Sequence, residues 1–257
     1  MAEPVSGASA LPEPRSIGPG AIGTALRAGL RDFFKAPLFG LFFSAVYVAG
    51  GLVVAHVYGA SGQVWWLLPL AVGFPLLAPF AAIGLYEVSR RIEAAEPLAW
   101  GRVLGVVFAQ RNRQLPSMAV VILLMFMFWI FVAHAIFALF MGLSPTTSGL
   151  TSLDFLLQGY GPLMLLVGSA IGAGFAALVF SSTVVGLPLL LEREVDFISA
   201  IIVSFQAVAA NLGPMILWAA VIALLLALGM APMFLGLLIV LPVLGHASWH
   251  MYRALVG

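Results

Sequence analysis

"IGTALRAGLRDFFKAPLFGLFFSAVYVAGGLVVAHV", residues 22–57, joins two helices of different kind at a proline. Up to Lys35, Ile22, Leu26, Leu30, Phe33 and Phe34 recur at helical spacing, while Arg27, Arg31 and Lys35 line another face. A short helix with one apolar and one basic face lies in the headgroup plane. From Pro37 to Val57 there is no charge at all, and about 20 such residues cross a bilayer. Proline ends the first helix, and its fixed φ suits the first turn of the second. The stretch predicts a chain that runs along a membrane surface and then turns into it.

The same signature occurs twice more. "WGRVLGVVFAQRNRQLP" sets Trp100, Val103, Leu104, Val107 and Phe108 at the same spacing before Pro116. "DFISAIIVSFQAVAANLGP" does so with Phe197, Ala200, Ile201, Ser204, Phe205 and Val208 before Pro214. Apolar segments follow each, giving expected spans at 37–57, 64–88, 117–141, 162–191, 214–231 and 233–251. The last two meet at "LGMAPM", where Gly229 and Pro232 predict a tight turn. Composition agrees: 63% of the 257 residues are hydrophobic and 8% charged, against roughly 25% charged in soluble domains.

All eleven lysines and arginines fall before span one, between two and three, between four and five, or after six. The positive-inside rule then makes both termini cytoplasmic. The expected fold is an all-α membrane protein with six transmembrane helices in three pairs, each pair preceded by a cytoplasmic interfacial amphipathic helix. The repeats cover about residues 22–92, 98–193 and 196–254, within one polytopic domain over 22–255. Residues 1–21, rich in proline, glycine, alanine and serine and without a signal-peptide core, read as a disordered cytoplasmic tail. The loop between spans three and four is the longest, and its "SLDFLLQ" reads as a short interfacial helix. Span four, with Gly168, Gly172, Gly174 and Ala176, reads as the centre of the bundle, kinked at Gly186 and Pro188. Gly40 and Ser44 form a weaker seam on span one.

Chemistry-bearing residues are few. There is no cysteine, which excludes disulfides and thiolate metal sites. "GASG", residues 59–62, looks like a protease elbow, but Ser61 lies in an external loop far from His246 and His250. His134 reads as a neutral histidine bonded to a helix or reaching the interface. Gly172, Gly174, Ser181, Ser182 and Thr183 are the candidates for lining a pathway, although such hydroxyls more often bond their own helix carbonyls. "GHASWHMYR", residues 245–253, sets His246 and His250 on one helical face beside Trp249, Tyr252 and Arg253. Two histidines are weak metal candidates, since a site normally takes three or more ligands. The bland reading makes Trp249, Tyr252 and Arg253 an interface anchor. A structural expectation pairs Glu87, at the matching end of span two, with one of the histidines. No cofactor is expected, and net charge +1 gives no field for nucleic acid; the expected partners are the bilayer and other membrane proteins.

"APFAAIGLYEVSRRIEAAEPLAW", "GLPLLLEREVDFISAIIVSFQAVAANLGPMILWA" and "LPVLGHASWHMYRALV" resemble a bacterial integral-membrane family, domain of unknown function 2189, over roughly residues 22–255. The resemblance implies a polytopic inner-membrane protein and brings no activity. No catalytic set assembles in the sequence and three amphipathic helices offer a surface for lipid or protein, so the expected function is non-catalytic, as a scaffold, assembly or envelope component. The alternative is a passive channel or permease for a small solute.

Overall fold

A computed structural model describes residues 11–61, 67–141 and 159–257, and every regular element among them is helical. The order is α1 (Gly20–Lys35), α2 (Pro37–Ser61), α3 (Leu67–Glu93), α4 (Trp100–Ala109) running into a 3-10 turn (Gln110–Asn112), α5 (Leu115–Met141), α6 (Gly161–Thr183), α7 (Gly186–Glu192), α8 (Phe197–Ala210), α9 (Leu212–Met230) and α10 (Leu237–Val256). "SLDFLLQ" lies outside the described residues. Three segments among those described are long and apolar enough to cross a bilayer: Leu115–Phe140, Gly161–Glu192 and Leu212–Met230. Counted together as one broken span, α1 and Pro37–Val53, bent by 101°, bring the number to four. That bend is the turn that the first proline predicts. Pro116 and Pro214 likewise sit in the first turns of α5 and α9.

The core gathers at the end of the bundle where α1, α4 and α8 pack, here called the charged end. It is built from Ile83, Tyr86 and Val88 of α3, Met118 of α5, all of Gly186–Leu191, Val203 of α8, Trp218 of α9, and Ala247, Trp249, Met251 and Leu255 of α10. The bundle centre is therefore α3, α7 and α10 rather than α6. Only 6% of the apolar windows in Leu115–Phe140 and in Gly161–Glu192 is buried. A Cβ on Gly168 or Gly174 would meet nothing within 4 Å, and of Gly168, Gly172 and Gly174 only Gly172 lies against a neighbour, Trp129 of α5.

The expected kink is real. The chain breaks between Thr183 and Gly186, and Val185 N–H, freed from the helix ladder, donates to Ser204 Oγ at 3.1 Å. The seam on α2 is real too. Pro242 inside α10 cannot donate to Leu238 O, and Ser44 Oγ reaches that carbonyl at 3.3 Å while bonding Gly40 O at 2.8 Å. A Cβ on Gly40 would crowd Pro242. The α9–α10 turn falls later than expected. Gly229 still belongs to α9 and lies against Gly236, while Met233 and Phe234 take left-handed φ of 51° and 65°.

One reading is extended and one is corrected. The face of α1 that packs on α10 is Ile22, Ala25, Gly29, Asp32 and Phe33, with Leu30 and Phe34 left 43% and 69% exposed. Close approach selects it: a Cβ on Gly29 would lie 2.6 Å from both Ala247 N and Val243 O. The tail read over residues 1–21 is shortened at its far side. Asn211 accepts from Ile17 N at 2.8 Å and donates to Arg15 O at 3.0 Å, and Arg15 N donates to Leu255 O at 2.7 Å. The first ten residues lie outside the described ones.

Candidate functional site

The conspicuous chemistry sits where α10 crosses α1 and α3. Helical spacing puts His246 and His250 one turn apart on the buried face of α10. They face different partners. His250 Nε2 lies 2.6 Å from Asp32 Oδ2, and His246 Nδ1 lies 2.8 Å from Ser89 Oγ. Ser89 Oγ donates to Asp32 Oδ2 at 3.0 Å and closes the chain His250–Asp32–Ser89–His246. Asp32, Ser89 and His246 are fully buried. Burial by itself would raise the Asp32 carboxyl. Hydrogen bonds from His250 and Ser89, with the charges of His250 and Arg31, outweigh burial and hold it below its usual 3.8.

Proton accounting fixes the roles. Asp32 as carboxylate only accepts, and Ser89 has one hydrogen, which goes to Asp32. His246 must then donate Nδ1–H to Ser89 Oγ. This differs from a hydrolase triad, in which the acid orients the histidine and the histidine takes the serine's proton. Here the serine is the middle member and is shut off from solvent.

Around this chain runs a collar of ion pairs. Glu87 binds Arg90 at 2.7 Å and Arg91 at 2.6 Å, and both arginines reach Glu96. Glu93 accepts from Trp249 Nε1 and Arg253 Nε, each at 3.0 Å. Glu192 pairs with Arg253 at 2.5 Å and accepts from the Tyr252 hydroxyl. The expected contact of Glu87 with a histidine is thus replaced by Asp32. The sequence "EVSRR" explains why, because arginines three and four residues on capture Glu87 on its own helix. The anchor reading of Trp249 and Tyr252 is also corrected: both are fully buried and hold carboxylates of α3 and α7. Arg253 stacks over the Trp249 ring at 4.8 Å.

Three glycines let these helix ends close. A Cβ would strike Phe43 at Gly84, Leu85 at Gly245, and Met118 at Gly186. Between α3, α4, α7 and α10 the collar encloses a cleft of about 550 Å³, lined among others by Glu93, Gln110, Arg113, Glu192 and Arg253. Deeper in the bundle a second cavity of about 310 Å³ lies among α2, α3, α5, α6, α7, α9 and α10, almost wholly apolar but touched by Ser44, Tyr47, Thr183 and Ser248.

The pathway candidates do not form one wall. Thr183 lines this central cavity, whereas Gly172 lies against Trp129 in an outer groove between α5 and α6. Thr183 and Ser182 donate to their own helix carbonyls, Val179 O and Leu178 O, each at 2.8 Å. Ser181 is buried, and Gly174 faces open space. His134 is exposed on α5, its Nδ1 2.8 Å from Ile130 O of its own helix. Helix α2 continues through Ser61, so the elbow motif begins on a helix rather than in a loop.

Asp32, Ser89, Gln110 and Asn211 escaped the sequence reading. Asp32 had a signal: it is the lone acid in a basic helix, spaced three from Gly29 and seven from Ala25 on the small-residue face. Nothing local marks the other three.

Residues 67–192 match the model of a family described as predicted integral membrane protein (DUF2189). The match bears out the resemblance over that stretch. It is narrower than the 22–255 expected and leaves out "NLGPM" and "GHASWHMYR". No curated protein and no solved structure matches the chain.

Proposed function

Taking the integral-membrane family match as premise, we propose that this chain is a six-span inner-membrane protein with both termini cytoplasmic. It works through contacts rather than catalysis, as a scaffold, assembly or envelope component. The order of one amphipathic helix and then two apolar passages recurs in α1–α3, α4–α7 and α8–α10, which supports a threefold repeat. The eleven basic residues at one end support the orientation. The observation that carries the contact reading is the collar. Its carboxylates and arginines are spent on one another across α3, α7 and α10, which makes a rigid polar platform. Apolar side chains of α1, α4 and α8 (Phe34, Phe108 and Ile198 among them) stay exposed around it.

The cysteine-free sequence makes topology directly testable. Single cysteines at Ser61 and Ser148 should react with a membrane-impermeant maleimide in intact cells, and one at Arg102 only after permeabilisation. For function, the tagged protein is purified from its own membranes in mild detergent. A stoichiometric membrane-protein partner supports the contact reading. The alternative, a passive channel, is favoured by the central cavity, to which helices of all three pairs contribute. Flux of a small solute in proteoliposomes holding this protein alone would replace the contact reading.

A further inference from the structure

The cleft at the charged end has one unmet valence and one that is met only loosely. Gln110, on the 3-10 turn, is only 2% exposed, and its Oε1 has no hydrogen-bond partner. A buried acceptor without a donor is costly, and folded proteins fill such places. Arg113, three residues on, opens into the same cleft. Its guanidinium has two long contacts, Arg193 O at 3.4 Å and Glu194 at 3.5 Å, and the Glu194 side chain is 89% exposed. By contrast Glu87, Glu93, Glu192, Arg90 and Arg253 hold one another at 2.5–3.0 Å. The cleft therefore has only a loosely held, exposed anion at Arg113 and no N–H donor at Gln110. Three glutamates and three arginines line it, so a ligand bearing both groups leaves its charge balanced.

We propose that this cleft binds a zwitterion in which a primary ammonium stands beside a phosphate, with the phosphate on Arg113 and the ammonium on Gln110 Oε1. Phosphate is favoured over carboxylate by position. Helix α5 begins two residues past Arg113, at Leu115, where an apolar span meets the headgroup layer and basic pockets between helices hold lipid phosphates. The guanidinium fork suits a phosphate's paired oxygens. Val106, Ala109 and Leu191 supply an apolar wall for the carbons between. The same chemistry comes from a lipid headgroup or from free phosphoethanolamine.

The test is native mass spectrometry of the full chain in mild detergent with phosphatidylethanolamine, phosphatidylcholine or phosphatidylglycerol. Phosphatidylethanolamine should be retained about tenfold better than the other two, because trimethylation removes every N–H donor and glycerol removes the ammonium. Arg113→Gln and Gln110→Leu should each lose about tenfold in retention. Gln110→Leu should also melt at or above the wild-type temperature without lipid, since it removes an orphan acceptor; this separates lost binding from lost folding. Free phosphoethanolamine that displaces the lipid at millimolar concentration identifies the soluble source, and failure to displace it identifies the headgroup. Equal retention of all three lipids, or retention unchanged in both folded variants, overturns the proposal.

Discussion

The charged end and the α5–α6 pair are made of similar residues and put them to opposite use. Glycines occur in both. At the charged end Gly29, Gly84, Gly186 and Gly245 each let a neighbouring helix approach to where a Cβ would stand. On α6, Gly168 and Gly174 face open space, and the contact with α5 runs through Gly172, Trp129 and Phe175 instead. Polar groups divide the same way. Asp32, Ser89 and His246 tie three helices together, whereas Thr183 and His134 bond their own helices. One region turns its polar groups inward, onto other helices. The other leaves its apolar surface to the bilayer, where lipid is as good a neighbour as leucine. A small residue signals a packing face only where something packs on it.

The sharpest way to break this contrast is Asp32→Ala. It removes the centre of the buried chain and strands Ser89 and His250, and should cost about 3–5 kcal/mol, read as a lower thermal midpoint in mild detergent. A loss below 1 kcal/mol would mean that the chain is not what holds α1 on α10. Gly29→Ala comes next. With backbone atoms of α10 in the way, it should cost about 1–3 kcal/mol, while Gly174→Ala should stay within about 0.5 kcal/mol. Equal effects at the two glycines would erase the distinction between the regions.

Acid gives a gentler probe. The Asp32 carboxyl is held below 3.8 in the folded protein, so its contribution is present above that value and is lost as pH falls through the lower, folded one. Melting temperature should drop below pH 4 in the wild type and less steeply in Asp32→Asn. Asp196 is the smallest case. As N-cap of α8 it accepts from Ser199 N at 2.9 Å and Ser199 Oγ at 2.6 Å. Asp196→Ala should cost about 1 kcal/mol, seen as faster amide exchange in the first turn of α8 and none elsewhere.

What was legible in the sequence was local. Prolines mark the turns from amphipathic to apolar helix because a missing N–H acts on its own neighbours. Gly40 and Ser44 mark a seam, and Gly186 with Pro188 mark the break in a long apolar run. The apolar face of α1 was legible, and its exposed Leu30 and Phe34 suit a helix lying in the headgroup plane. The second face, where Gly29 and Ala25 allow α10 to come close, was not, because small residues give no signal until something packs on them. Glu87 was matched to the histidines by position along the repeat, but two arginines of its own helix lay nearer. Ser89, Gln110 and Asn211 were invisible, since an uncharged polar side chain reads alike in sequence whether it meets water or the interior.

Helix α1 sits on α10, and the Asp32–His250 contact joins residues 218 positions apart. The segment before α1 is likewise fastened by Asn211 and by Leu255 O. As the chain leaves the ribosome, α1 therefore lacks its main packing partner until α10 has been made. It must wait, held only by α2 and, through Ser89, by α3, while the helices between are synthesised. A chain that stops before α10 leaves α1 undocked, with Asp32 and Gly29 exposed where a finished molecule hides them. The crossing of α1 and α10 thus makes the docking of one helix wait on the synthesis of another, 218 positions on.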